Sequence, residues 1–260
     1  MLFFNTRPLE RAEALTLALS DLNIQAINLP LLELKARPLT PLLKQLYQQL
    51  VVDIAVLVVV SPTAVDVGMK YLRECHIEID QLAHIQWIAV GEKTAEALQK
   101  YQIKSEIPKV ETSEGMLQLP ILSTLEKGKK IAFWRGEGGR QFMMNHLHQQ
   151  GMQILNFILY DRQLPLQSID EFQKITLKLT QESRYIMLIS SEASWLNWLS
   201  LIQANPMLLN IGYFWVLGDR LFNILDNYKI QHALHFKVMI LPNLKTELIL
   251  QRVTYMQGKL

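Results

Sequence analysis

Thr6-Arg7, Ser61, Gly91-Glu92-Lys93-Thr94, Ser113, Arg135 to Arg140, Ser190-Ser191 and Gly218-Asp219-Arg220 all stand where an apolar run closes or a helix-forming stretch begins. Hydroxyls, glycines and cations dominate this set. Backbone N–H groups at a helix start point outward with partial positive charge, so such positions suit a ligand rich in carboxylates or phosphates. An ordinary N-cap accounts for any single Ser or Thr among them at least as well. One further residue stands out by position. Tyr160 ends an extended stretch, beside Asp161-Arg162 and ahead of Pro165. A phenol placed there can donate a proton or a hydrogen bond. A half-buried structural tyrosine fits the local sequence too.

Other chemistries lack their signatures. Gly136-Glu137-Gly138-Gly139-Arg140 is not a dinucleotide fingerprint, because the third glycine comes one residue early and no acidic ribose partner follows. No Walker A sequence occurs. His146 and His148 are two apart on a predicted helix and face different directions. His232 and His235 have no carboxylate or cysteine cluster near them, so no metal site is predicted. Cys75 has no triad setting, and there is no Gly-x-Ser-x-Gly elbow. Trp195, Trp198 and Tyr213 to Trp215 fall on predicted elements and read as core.

The elements that position these residues repeat. Val56 to Val65 followed by Trp87 to Leu98 reads like Ile186 to Ser194 followed by Phe214 to Leu225. Each is an apolar run closed by Ser or Gly that leads into a helix, as in buried parallel strands of β/α units. A second pair frames the first. Leu2 to Arg7, a helix over 9–22 and an extended stretch over 24–34 match Lys130 to Arg135, a helix over 140–150 and a stretch over 152–160. Asn23 and Gly151 follow those helices, and both residue types accept a left-handed conformation. The chain therefore reads as unit A (1–34), unit B (53–125), A again (130–160) and B again (184–256). Two layouts fit: adjacent A and B units pair, or the central B–A block forms one lobe and the first A joins the last B. Either gives two α/β lobes and a cleft.

Bulk properties narrow the class. The 260 residues are 50% hydrophobic and 19% charged, a globular profile. A net charge of +2 without a basic run gives no case for nucleic acid. A single cysteine fits a reducing compartment. Met1-Leu2-Phe3-Phe4 is too short for a signal-peptide core. The longest apolar run, Ile54 to Val60, is far below the ~20 residues that cross a bilayer. A cytoplasmic protein with no membrane partner is predicted.

The pattern as a whole resembles the uroporphyrinogen-III synthase family over nearly the full chain. The carriers begin with Asn5-Thr6-Arg7-Pro8, Pro30, Asp53-Ile54-Ala55-Val56 and Val60-Ser61-Pro62-Thr63-Ala64-Val65. They continue with Ala89 to Leu98, Ser113 to Leu117, Arg135-Gly136, Gly139-Arg140, Gly151, Tyr160 and Ser190-Ser191. The resemblance implies two flavodoxin-like lobes, each a parallel β-sheet flanked by helices, joined by two extended linkers. One lobe would span 38–160 and the other 1–34 plus 166–260, with linkers at 35–37 and 161–165. It implies a monomeric, cofactor-free and metal-free cyclising lyase of haem and tetrapyrrole biosynthesis. The substrate would be hydroxymethylbilane, closed with loss of water and inversion of its last ring, and handed over by hydroxymethylbilane synthase. Tyr160 would be the catalytic acid. Arg7, Ser61, Gly91, Lys93, Thr94, Ser113, Arg135, Arg140, Ser190 and Ser191 would bind substrate. Two departures fall in the last unit: Arg184-Tyr185 where the family usually has an acidic residue, and Leu221 where it usually has Thr. They leave room for the alternative of a non-catalytic two-lobed binding or regulatory protein.

Overall fold

A computed structural model describes residues 2–138, 141–182 and 184–258. In chain order the strands are β1 (Leu2–Asn5), β2 (Gln25–Asn28), β3 (Glu33–Ala36), β4 (Ile54–Val59) and β5 (Gln86–Ala89). They are followed by β6 (Lys130–Gly136), β7 (Gln153–Gln163), β8 (Tyr185–Ile189), β9 (Gly212–Leu217) and β10 (Lys237–Leu241). The chain divides into two compact units, Met1–Glu33 with Gln163–Leu260, and Leu34–Arg162. Each has its own five-stranded sheet: β10-β9-β8-β1-β2 in the first, β3-β7-β6-β4-β5 in the second.

The α/β class, with parallel sheets flanked by helices, is as the sequence suggests. The central strands β1, β4 and β8 are covered on both faces, which is why they read as apolar runs and not as alternating ones. In the first unit Leu2 and Phe4 pack with Trp195, Trp198 and Phe214, while Phe3 faces Leu15, Trp215 and Ile249 on the other side. In the second, Leu57 and Val59 pack with Trp134 and Phe157, while Val56 and Val58 face Phe133, Met143 and Leu147. Asn23 and Gly151 both take positive φ, 55° and 90°, at the turns between helix and strand.

The two sheets share one plan. β2-β1-β8-β9 in the first matches β7-β6-β4-β5 in the second. β10 is matched only by Glu106, which makes a single parallel bridge to Ile88 on β5. Registers agree as well. Phe3 pairs with Ile186, and Ile131 pairs with Val56. Ile186 and Val56 each lie five residues before an N-cap serine, Ser191 and Ser61. Phe3 and Ile131 each lie four residues before an arginine, so Arg7 and Arg135 occupy equivalent places.

Of residues 35–37 and 161–165, where the resemblance implies extended linkers, five lie in strands. Lys35 and Ala36 belong to β3 and Asp161 to Gln163 to β7, and the two strands are neighbours. The Arg37 N–H donates to the Leu159 carbonyl, while Gln163 donates to the Glu33 carboxylate. That reciprocal order is the one an antiparallel pair produces. Among the described residues no helix is long and apolar enough to cross a membrane.

Candidate active site

Open parallel sheets bind ligands beyond the carboxyl ends of their strands, where the strand order reverses. In the second unit that point lies between β6 and β4, because β6 connects toward β7 and β4 toward β5. Ser61 follows β4 and caps the helix Pro62–Glu74, accepting the Ala64 N–H at 3.1 Å. Proline at the first helical position costs no hydrogen bond there and fixes the entry of the helix. Gly136 ends β6 and pairs with Tyr160 after a bulge in register. The Tyr160 hydroxyl and Ser61 Oγ lie 2.9 Å apart. Tyr160 is only 1% exposed. A Cβ at Gly136 would lie 2.3 Å from the Tyr160 ring, so only glycine admits the phenol at this depth.

Arginines frame this pair. Arg135 is buried and donates to the carbonyls of Gly136 and Gly138. Burial pulls its guanidinium pKa down from the ordinary value, against a smaller upward pull from Glu137. Arg37 forks between Glu137 at 2.7 Å and Asp161 at 2.8 Å. Arg162 donates to the Glu137 carbonyl at 2.9 Å and lies 5.7 Å from the centre of the Tyr160 ring. The two ion pairs of Arg37 are more than a third exposed, so each contributes on the order of 0–1 kcal/mol. Together they fix the strand ends that carry Tyr160. Arg37 and Glu111 are neighbours of these strand and helix ends that local sequence does not single out. Their only local signal is a charge beside a proline or a helix start.

The equivalent point of the first unit, between β1 and β8, is closed by its own groups. The Thr6 hydroxyl donates to the Leu188 carbonyl across the two strands. The Arg7 guanidinium donates to the Leu244 carbonyl, and burial lowers its pKa. Ser191 caps the helix Glu192–Leu201 through the Ser194 N–H at 3.1 Å, and Ser190 is exposed beside it. Arg220 pairs with Glu192 at 2.6 Å.

Gly91 opens the helix Glu92–Gln99, but a carboxylate already sits there: Glu111 accepts the Glu92 N–H at 2.8 Å. A Cβ at Gly91 would lie 2.4 Å from that carboxyl carbon. The helix start thus holds the anion that its dipole favours, and the anion belongs to the protein. Lys93 is exposed on the same turn, whereas Thr94 is buried. Ser113 is the first residue of its short helix, and Thr112 is the cap, accepting the Gly115 N–H at 3.0 Å. Arg140 lies outside the described residues.

Replacing Glu111 with alanine is expected to lower stability by about 0.5–1 kcal/mol, the low end for a lost cap because the group is exposed. Sulfate should recover more stability in Glu111→Ala than in the wild type, since it can take the vacated place. Equal sulfate responses in thermal melts would contradict that assignment.

Gly218-Asp219-Arg220-Leu221 is the counterpart of Gly91-Glu92-Lys93-Thr94, and Leu221 is buried just as Thr94 is. This is a core position in both units, which accounts for a leucine being tolerated there. Tyr185 lies in β8, fully buried, and desolvation drives its phenol pKa far up.

Solved structures of similar fold include two uroporphyrinogen III synthases. One is a crystal structure of mutant uroporphyrinogen III synthase from the extremely thermophilic bacterium Thermus thermophilus, with a TM-score of 0.67 at 15% identity. It covers 100% of this chain and 99% of its own. The other is uroporphyrinogen-III synthetase from Helicobacter pylori, with a TM-score of 0.56 at 15% identity, covering 97% of this chain and 98% of its own. At the level of sequence, residues 13–233 match the family model described as uroporphyrinogen-III synthase HemD. The chain belongs to the uroporphyrinogen-III synthase family, the cyclising lyases of porphyrin and haem biosynthesis.

Proposed function

We propose that this chain turns hydroxymethylbilane into uroporphyrinogen III with Tyr160 as the source of the proton that takes the hydroxyl group away as water. The observation that carries the acid assignment is the Tyr160–Ser61 hydroxyl pair at the strand-order reversal of the second unit. The electron push comes from a pyrrole nitrogen of the substrate, so the reaction itself calls on no cofactor. The substrate also closes unaided, without inverting its last ring. Holding one conformation is therefore the larger task, and positioning supplies most of the selectivity.

Its carboxylates suit the helix start after Ser61, where Pro62 has no N–H and Ser61 caps that of Ala64, leaving the Thr63 N–H to donate. Arg7 and Arg135 donate to backbone carbonyls. Their part in this reading is to hold the strand ends in shape and add positive potential. Direct hand-over from hydroxymethylbilane synthase would keep the substrate from closing on its own.

The test is an isomer assay. The protein is mixed with hydroxymethylbilane, the products are oxidised, and type I and type III uroporphyrins are separated. Type III product in excess is expected. Type I alone, at the rate seen without protein, would overturn the reading in favour of a non-catalytic binding protein.

A further inference from the structure

Tyr160 is almost wholly enclosed, which leaves its proton with few ways out. Among the described residues its hydroxyl partner is Ser61 Oγ, at 2.9 Å. Ser61 is less buried than Tyr160 and sits at the first turn of a 13-residue helix, Pro62–Glu74. Its oxygen already accepts the Ala64 N–H at 3.1 Å. The bond from Ala64 uses an acceptor position only, so the serine can receive a proton from Tyr160 while passing its own outward. The positive end of the helix faces the pair and favours the negative charge that remains after donation. Arg162 above the phenol ring adds to this.

The geometry points to Ser61 as the group that hands the Tyr160 proton to the substrate, so that the acid is a tyrosine–serine relay. This rests on the function proposed above. The Ser61 O–H gives its proton to the substrate hydroxyl as the C–O bond breaks and water leaves. The lone pair of the adjacent pyrrole nitrogen forms the C=N bond of the resulting cation. Ser61 takes the Tyr160 proton, leaving a phenolate. Closure with inversion breaks the existing methylene–carbon bond of the last ring and re-forms it at that ring's other α-carbon. The α-carbon that carried hydrogen loses one proton, which returns through Ser61 to Tyr160. One water is released and the protein is unchanged.

Ser61→Asn separates relay from cap, because asparagine caps a helix as well as serine does but brings no hydroxyl. We expect Ser61→Asn and Ser61→Ala each to lose at least tenfold in kcat for type III product with KM within about twofold. Ser61→Thr, which keeps cap and hydroxyl, should recover most of the rate. Combining Ser61→Asn with Tyr160→Phe should cost no more than Tyr160→Phe alone. In mixed light and heavy water the wild type should show two protons moving in the dehydration step. Ser61→Asn turning over at the wild-type kcat, with Tyr160→Phe slow, overturns the relay alone. A wild-type protein that makes only type I product overturns the relay together with the function beneath it.

Discussion

Tyr160→Phe is expected to slow type III formation by about 10²–10⁴-fold in a single turnover, the usual contribution of one positioned general acid. The substitution removes only an oxygen that is bonded to Ser61 at 2.9 Å. Losing one such bond costs about 1 kcal/mol of stability, so the variant should remain folded, with circular dichroism unchanged and a melting point a few degrees lower. Rate and stability therefore separate cleanly. The substrate's own closure continues while the catalysed step slows, so the product should shift toward type I as the rate falls. Rapid-quench measurement with isomer separation reads both quantities. A loss of less than twofold would remove Tyr160 from the acid role and leave templating as the whole of catalysis.

The architecture was legible because the strands announce themselves. Runs such as Val56 to Val59 and Ile186 to Ile189 are apolar at every position, which only a sheet covered on both faces requires. Their likeness revealed the repeated plan, and the shared register of Arg7 and Arg135 follows from it. What local pattern could not fix was which A unit joins which B unit. That choice is made by long-range pairing of β1 with β8 and of β6 with β4.

The site was legible by position and not by partnership. Ser61 and Ser191 read equally as helix caps or as substrate contacts, and both cap helices. Gly91 read as a place for a foreign carboxylate, yet Glu111 fills it, because a residue well along the chain folds back onto the helix start. Thr94 read as a ligand to substrate, but its side chain lies on the buried face of the first helical turn. A hydroxyl next to a lysine carries no sign of which way the helix turns it. The Tyr160–Ser61 contact joins residues 99 positions apart, so no local spacing could announce it.

Gly136 gives the second large effect, and it acts through geometry without touching any reacting atom. Its missing side chain is the space occupied by the Tyr160 ring, whose Cε2 and Cζ would lie 2.3 and 2.5 Å from an added Cβ. The ring has little freedom to yield: it is enclosed, its hydroxyl is bonded to Ser61, and the Tyr160 carbonyl accepts the Glu137 N–H at 2.7 Å. Gly136→Ala therefore pushes the phenol away from Ser61 by about 1 Å, a misplacement that typically costs on the order of 10²-fold in rate. Crowding of this kind also costs about 1–3 kcal/mol of stability, which a denaturant melt would register. The diagnostic result is the combination. Since both changes remove the same hydroxyl contact, Gly136→Ala added to Tyr160→Phe should lose little beyond Tyr160→Phe alone. Multiplying losses would mean that Gly136 serves the reaction by another route, and a rate within about threefold of wild type for Gly136→Ala would show that the phenol's depth is immaterial.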